Sequence, residues 1–205
     1  MSFTRQRPSA RYRELTELYR RLHVEGERFL GLKPEGTYPG ISLLPHLGRI
    51  KALINETGAR TILDYGCGKG QQYEPQRIAL PGGGECDSVV DFWDVDEVRC
   101  YDPCYEPYSR LPQEQFDGVV CTDVLEHCPE EDLQWIVGEM FSFATRFLYA
   151  GIACYPAKSR LPNGENAHCT VRPPEWWQEL FGGIATGYPG IKWSASFTEL
   201  PVTAA

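Results

Sequence analysis

Residues 61–70 read Thr61-Ile62-Leu63-Asp64-Tyr65-Gly66-Cys67-Gly68-Lys69-Gly70. The apolar run that opens this stretch is typical of a buried strand, and an acidic residue and three alternating glycines follow it. Glycine lacks a Cβ and tolerates positive φ, so such a loop lets the backbone approach a ligand closely. The stretch therefore predicts an α/β domain that binds a ligand where its first strand ends.

The spacing of the glycines excludes two common phosphate-binding motifs. A dinucleotide fingerprint that starts at Gly66 needs a glycine at position 71, where Gln71 stands. The phosphate loop G-x-x-x-x-G-K-S/T does not occur in the sequence. No pyrophosphate site is therefore expected at this loop.

Two later segments repeat the pattern of a strand followed by an acid. Residues 98–103 read Val-Arg-Cys-Tyr-Asp-Pro, and residues 116–127 read Phe-Asp-Gly-Val-Val-Cys-Thr-Asp-Val-Leu-Glu-His. Together with 61–70, and in the same order, they resemble the motifs of class I S-adenosylmethionine (SAM) dependent methyltransferases, whose first motif is D-x-G-x-G-x-G. The alternative is an ordinary nucleotide-type α/β domain with a glycine-rich turn.

The resemblance implies both a fold and a cofactor. The fold is a Rossmann-like α/β sheet over about residues 45–200, mostly parallel, with an antiparallel strand near the C-terminus and helices on both faces. The cofactor is SAM, whose amino-acid end packs against the glycine-rich loop and whose ribose hydroxyls bind Asp102. The residues that the resemblance assigns to the cofactor are Asp64, Gly66, Cys67, Gly68, Gly70, Asp102, Pro103, Asp123 and Val124.

The interval between Asp102 and Asp117 departs from the family pattern. It holds only 14 residues, where most members of the family place a helix, a third strand and another helix. We expect the third strand to be missing or vestigial, and with it the acidic residue that usually contacts adenine. Pro103, Tyr105 or Tyr108 would then hold the base.

Helical and alternating periods outside these motifs predict the remaining elements. One amphipathic helix is expected at 10–30 and a second at 43–57, separated by a loop rich in Gly and Pro. Beyond the third motif, the periods predict a helix at 130–143, a strand at 146–153, a helix from Pro174 and a half-exposed terminal strand at 191–197.

The length favours one domain over residues 1–205. Residues 1–44 would form an N-terminal helix and a lid loop, and residues 45–200 the SAM-binding core. Such N-terminal segments in the family commonly fold over the cofactor and carry part of the substrate pocket. Tyr38 in the loop is therefore one candidate for substrate contact. Trp176, of the Trp176-Trp177 pair, is the other, although paired aromatics at a helix start are more often core.

Asp123, Glu126 and His127 stand at i, i+3 and i+4 and are predicted to share one face of a helical turn. His168 falls in the loop after the next strand, whose end faces the same crevice. These four residues are similar to the metal-binding E-x-x-E-H and distant His of small-RNA 3′-terminal 2′-O-methyltransferases and of ubiquinone-pathway O-methyltransferases, with Asp123 in place of the first Glu. The resemblance implies a divalent metal, and mixed N and O ligands suit Mn, Fe, Co or Zn better than Mg.

Methyl transfer to a hydroxyl needs a base or a metal, because the pKa of an alcohol lies far above 7. The catalytic candidates are Asp123, His127 and His168. Metal-free methyltransferases also contain the sequence D-V-L-E-H. In that interpretation Glu126 and His127 only form hydrogen bonds within the loop, and His168 is an ordinary loop histidine.

Composition narrows the partners. Apolar residues make up 42% of the chain, which excludes a disordered protein. The chain has 20 basic and 28 acidic residues, and the resulting net charge of -8 argues against long nucleic acid as a partner.

No apolar run reaches the roughly 18 residues that span a bilayer, and no apolar signal core is visible at the N-terminus. A soluble, cytoplasmic protein is expected. The eight cysteines show no paired spacing that would complete a structural zinc site.

The leading functional hypothesis is SAM-dependent O-methylation of a small polar hydroxylated metabolite or a sugar. One alternative is 2′-O-methylation of a short RNA terminus, which the net charge disfavours. Another is a protein that binds SAM without turnover and uses its acceptor side for association. The acceptor and the oligomeric state are not predicted by the sequence.

Overall fold

Five strands form the central sheet of the computed structural model, which describes residues 2–80 and 83–199. The helices are α1 (Ala10–Glu25), α2 (Leu47–Thr57), α3 (Val89–Trp93), α4 (Glu130–Phe143) and α5 (Pro174–Ala185). The strands are β1 (Thr61–Tyr65), β2 (Ile78–Ala79), β3 (Glu85–Cys86), β4 (Glu97–Tyr101), β5 (Phe116–Thr122), β6 (Ala144–Ala153) and β7 (Lys192–Thr198).

The central sheet has the order β4-β1-β5-β6-β7, and each neighbouring pair is parallel. The short strands β2 and β3 form a separate antiparallel pair between β1 and β4 in the chain. The predicted α/β class with a mostly parallel sheet is therefore confirmed, and the strand order is compatible with a Rossmann-like fold.

The predicted antiparallel direction of the C-terminal strand is wrong. β7 pairs with β6 in parallel, with Trp193 opposite Leu148 and Phe197 opposite Ile152. The reason is the crossover through α5. It returns the chain to the end of the sheet at which β6 begins, so β7 runs in the same direction as β6. The alternation at 191–197 indicates a strand with one exposed face, and it contains no information on strand direction.

Helices cover both faces of the sheet, and the side chains of each strand alternate between the two layers. Val119 on β5 is fully buried in the layer with α4 and α5, against residues such as Met140. The next residue, Val120, is fully buried in the opposite layer with α2 and α3, where Trp93 is the largest buried side chain. Burying one side chain of this kind contributes roughly 1.5–3 kcal/mol.

The expected loss of the third strand is confirmed. Residues 102–115 are all described, and they contain no strand, only a 3-10 turn at Glu106–Tyr108. The chain therefore passes from the edge strand β4 to β5 by a short connection. No helix of the described ranges is long and apolar enough to cross a membrane.

The predicted helix at 10–30 ends five residues early, at Glu25. Gly26 has a φ of +82°, and a Cβ at this position would lie 2.4 Å from the carbonyl oxygen of Leu32. The chain turns there into a tight loop, closed by an antiparallel bridge between Glu27 and Leu32. Phe29, which the helical period includes, is therefore outside the helix.

The other predicted elements are confirmed with small shifts at their ends. The helix predicted at 43–57 begins as a 3-10 helix, Ile41–His46, because Pro45 lacks the N–H that an α-helix needs there. α2 then ends at Gly58 in the left-handed conformation. α5 begins at Pro174 as predicted.

Candidate functional site

The strand order reverses beside β1. The chain continues from β1 to β4 on one side and later enters β5 on the other side. In open parallel sheets, ligands bind in the crevice outside the carboxyl ends of the strands at such a point. A cavity of about 560 Å³ opens there. Its walls come from α1, from the loop before α2, from the loops after β1, β4 and β5, and from the loop after β6.

The glycine-rich loop forms the floor of the cavity. Gly66 has a φ of +88°, and a Cβ there would lie 2.3 Å from Cγ2 of Val124. Gly68 has a φ of +59°, and its Cβ would lie 2.3 Å from the carbonyl oxygen of Tyr38. Both positions therefore require glycine because protein atoms, as well as any ligand, approach the backbone closely.

Asp102 connects β4 to the glycine-rich loop. Its Oδ2 accepts a hydrogen bond from the N–H of Gly68 at 2.9 Å, and its Oδ1 accepts one from the N–H of Cys104 at 2.8 Å. The side chain borders the cavity. Burial raises the pKa of Asp102 to about 6, against the effect of these backbone donors. Each oxygen retains a second lone pair, so the carboxylate can also accept hydrogen bonds from a ligand hydroxyl.

Lys69 joins the glycine-rich loop to the N-terminal segments. Its Nζ donates hydrogen bonds to Nδ1 of His23 at 2.9 Å and to the carbonyl oxygen of Thr37 at 3.0 Å. Its backbone N–H donates to the carbonyl oxygen of Tyr38 at 2.8 Å. Burial, and next the charge of Lys69, lower the pKa of His23 to about 4, so His23 is a neutral acceptor. The loop before α2 is therefore held onto the predicted cofactor loop.

Tyr38 and Asp123 have strained backbones beside the cavity. Their φ angles are +46° and +54°, in the left-handed region that side chains other than glycine rarely adopt. The hydroxyl of Tyr38 is buried and has no hydrogen-bond partner within the described residues. Strained residues are often found at functional sites. Both residues border the cavity.

His127 and His168 lie next to each other, with ring centroids 4.7 Å apart and ring planes nearly perpendicular. Nδ1 of His127 lies 3.0 Å from the carbonyl oxygen of Ala167, and Nδ1 of His168 lies 2.5 Å from that of Tyr155. A carbonyl only accepts, so each Nδ1 carries the proton and each neutral ring has an unprotonated Nε2. Burial lowers the pKa of His127 to about 3 and also lowers that of His168.

Two carboxyl groups lie beside these imidazoles. Glu126 is completely buried, and its Oε1 accepts the N–H of Ala153 at 2.7 Å. Its Oε2 has no partner among the residues described. Asp123, which borders the cavity, is the second carboxyl group. Burial raises the pKa of both groups, that of Glu126 to about 8, and the charge of Asp123 raises the pKa of Glu126 further.

The chemistry of these residues fits a divalent metal. Two carboxylates and two imidazole Nε2 atoms are suitable ligands, and hydrogen bonds from Nδ1 to carbonyl oxygens are the usual support of metal-binding histidines. The orphaned Oε2 of Glu126 would gain a partner. As the side chains are placed, however, no three His, Cys, Asp or Glu residues of the described chain converge on one point that could hold an ion. The metal therefore stays a prediction.

Several predicted site residues lie outside the cavity wall. Asp64 is buried beneath the loop, where its Oδ2 accepts hydrogen bonds from Gln72 and Tyr73, both at 2.9 Å. Cys67 is buried, and Gly70 packs against Tyr108. These residues shape the loop from below. Glu126, a predicted metal ligand, does not border the cavity and is completely buried. The predicted residues that do border the cavity are Tyr38, Gly66, Gly68, Asp102, Pro103, Asp123, Val124, His127 and His168.

Trp176 does not border the cavity either. Its ring packs edge to face against Trp177, with centroids 5.0 Å apart, and the guanidinium of Arg172 lies 5.8 Å from it. α5 packs on the sheet face that α4 covers, so its first turn is directed to that layer. Of the two tryptophans, Trp177 is completely buried in the core.

Tyr19 is a site residue that the sequence analysis did not identify. Its hydroxyl donates to the carbonyl oxygen of Ala167 at 2.5 Å and lies 2.9 Å from Nδ1 of His127. It therefore orients the His127 ring from α1. No local signal marks this role, because the two side chains are separated by 108 positions.

A scan against protein-family models, a search of curated proteins and a search of solved structures each found no match. The function of the cavity is therefore inferred from its geometry: a glycine-rich floor, a carboxylate at the end of β4 and two neutral imidazoles at the end of β5 and in the loop after β6.

Proposed function

We propose that this protein is a SAM-dependent methyltransferase that transfers the methyl group to a hydroxyl of a small molecule. The observation that supports the proposal best is the meeting of three predicted motifs at one cavity. Gly66 and Asp102 border it, and so do Asp123, Val124 and His127 of the third motif, at the point where the strand order reverses.

Each group has a role in this proposal. The floor at Gly66 and Gly68 lets the amino-acid end of SAM approach the backbone, and Asp102 accepts hydrogen bonds from the ribose hydroxyls. The cavity walls align the acceptor with the methyl group. Such alignment supplies a large part of the rate acceleration. The unprotonated Nε2 of His127 or His168 accepts the hydroxyl proton as the methyl group is transferred.

A divalent metal is part of the proposal for the same end of the cavity. Asp123, Glu126, His127 and His168 would hold it, and a bound cation would lower the pKa of the acceptor hydroxyl. With or without a metal, the acceptor oxygen would lie close to the imidazoles of His127 and His168. With a metal, the two Nε2 atoms serve as ligands, and without it they serve as bases.

SAM binding by the purified protein tests the proposal. We expect calorimetry to show binding to the wild type and an affinity at least tenfold weaker, or about 1.4 kcal/mol, for Asp102→Asn, because the substitution removes the charge that attracts both ribose hydroxyls. Glu97→Gln is the matched control, since Glu97 is an exposed carboxylate at the opposite end of the same strand. Equal affinity of the wild type and Asp102→Asn would show that Asp102 does not bind the cofactor, and a wild type that does not bind SAM would refute the function.

A further inference from the structure

The turn after α1 is closed by internal hydrogen bonds and exposes apolar side chains to solvent. The carboxylate of Glu27 is almost completely buried and accepts the N–H groups of Phe29 and Leu30, each at 2.7 Å. The backbones of Glu27 and Leu32 exchange two hydrogen bonds of 2.8 Å. These hydrogen bonds give the turn a defined backbone conformation. The side chains of the turn therefore occupy defined positions.

Those side chains are exposed although they are large and apolar. Phe29 is 63% exposed, Leu30 46% and Leu32 41%, and Ile41 in the next loop is 55% exposed. Leu30, Leu32 and Ile41 also border the cavity, so the exposed patch continues into its mouth. Single exposed apolar residues are common, but a contiguous group at a cavity usually marks a binding surface.

The opposite side of the mouth is formed by the loop after β6. The guanidinium of Arg160 lies 5.1 Å from the centre of the Phe29 ring, and Ala157 and Lys158 border the cavity. The acidic side chains of the cavity wall, Asp102 and Asp123, belong to the strand ends at its base. The cavity therefore has its carboxylates at its base and an exposed apolar surface, Leu30, Leu32 and Ile41, at its mouth.

We propose that the methyl acceptor is amphipathic, with its hydroxyl at the imidazoles and an apolar body, an alkyl chain or an alkylated ring, that leaves through the mouth over Leu30, Leu32 and Ile41. This inference rests on the proposed function. A sugar has no apolar body that could cover these side chains, so the geometry favours a different substrate class from the polar metabolite or sugar that the sequence suggests.

A series of 4-alkylphenols tests the inference. Calorimetry would measure binding of phenol through 4-pentylphenol to the full-length protein with S-adenosylhomocysteine present. We expect the Kd of the wild type to fall about fourfold for each added methylene, which is the gain expected when a CH₂ group leaves water. In Leu30→Ser and Ile41→Ser, the change in log Kd per added methylene should be at most half that of the wild type, because each substitution removes part of the apolar surface.

Val24→Ser is the matched control, since Val24 is 72% exposed near the same turn but does not border the cavity. It should leave the dependence on chain length unchanged. A wild-type Kd that does not depend on chain length would overturn the inference, and so would an equal loss in Val24→Ser and Ile41→Ser. Sedimentation with phosphatidylcholine vesicles that Leu30→Ser abolishes, with no dependence on chain length, would assign the patch to a bilayer surface instead.

The same titrations separate this inference from the proposed function. Binding of S-adenosylhomocysteine is measured before the phenols are added, and its absence would refute the cofactor site. The phenol titration needs no turnover, so it still reports whether the mouth binds apolar chains. Cofactor binding together with a flat phenol series would retain the methyltransferase and reject the amphipathic acceptor.

Discussion

At the scale of single residues, the carboxyl group of Glu126 is buried beside that of Asp123 without a donor for its Oε2 in the described part of the chain. An isolated buried carboxylate is costly unless it takes up a proton or a cation. Burial, and next the charge of Asp123, raise the pKa of Glu126, which favours the protonated carboxyl group when no cation is bound. A cation between the carboxyls and the imidazoles would replace that proton.

Metal content therefore distinguishes the two interpretations of this residue. Elemental analysis of protein incubated with Mn²⁺ and then freed of excess ion should find close to one metal per chain. Glu126→Gln should weaken metal binding at least tenfold, because an amide is a poorer ligand than a carboxylate. Asp132→Asn is the matched control, since Asp132 is completely buried and also has one oxygen without a partner within the described ranges, but lies away from the imidazoles on α4. A wild type that binds no metal would leave the histidines as bases only, and equal metal binding by the wild type and Glu126→Gln would show that Glu126 is not a ligand.

Single residues were predictable where a motif follows a strand. Gly66, Asp102 and His127 were identified in this way, because the carboxyl ends of parallel strands meet at one edge of the sheet. Asp64 belongs to the same motif as Gly66 but lies beneath the glycine-rich loop. Side chains alternate between the two faces of the sheet along β1, and that of Asp64 points to Gln72 under the loop. Tyr19 was not predicted as a site residue, because its contact with His127 depends on how α1 lies across the sheet.

At the scale of elements, the N-terminal segment is anchored more firmly than a simple cover would be. The guanidinium of Arg5 forms an ion pair with Glu139 on α4 and donates to the hydroxyls of Tyr65 and Tyr101, at 2.8 and 3.1 Å. It also lies 5.1 Å from the centre of the Trp135 ring. The start of the chain is thus tied to the layer of the core that α4 forms.

Loss of this tether should lower the stability of the whole fold. Arg5→Ala should reduce the free energy of unfolding in urea by about 3 kcal/mol, because it leaves the charge of the largely buried Glu139 unpaired, with only the Tyr65 hydroxyl still donating to it, and removes the donor to the Tyr101 hydroxyl. Arg7→Ala should change it by less than about 0.5 kcal/mol, since the Arg7 side chain is exposed. Similar, small effects of the two substitutions would show that Arg5 does not anchor the N-terminal segment to the core.

The elements themselves were largely predictable. Helical and alternating periods identify α4 at its observed bounds and β7 within one residue, because both depend on local burial. The direction of β7 and the early end of α1 were not predicted correctly. The first depends on the crossover through α5, and the second depends on the close approach of Gly26 to Leu32, which a helical period does not contain.

At the scale of the whole molecule, the buried apolar residues of the described ranges form three clusters of unequal size. Two large ones fill the layers on either side of the sheet. The third is small and joins α1 to the loop after β6. Its members are Leu15, Leu18, Tyr19, Leu22, Leu161 and Ala167. This small cluster forms the roof of the cavity, because Leu15 and Tyr19 also border it.

A cluster of this size should open before the sheet does, since regions with few buried contacts have the lowest local stability. Leu18→Ala should lower the opening free energy of the roof by about 2 kcal/mol, so that the amides of α1 and of residues 157–168 exchange with solvent roughly 30-fold faster. Amides of β5 and β6 should keep their rates. Val24→Ala, in the same helix but 72% exposed, should change neither group. Hydrogen exchange followed by mass spectrometry measures all of these segments together. Equal acceleration in the roof and in the sheet would mean that the molecule opens only as a unit, and that ligands enter the cavity without any separate movement of α1.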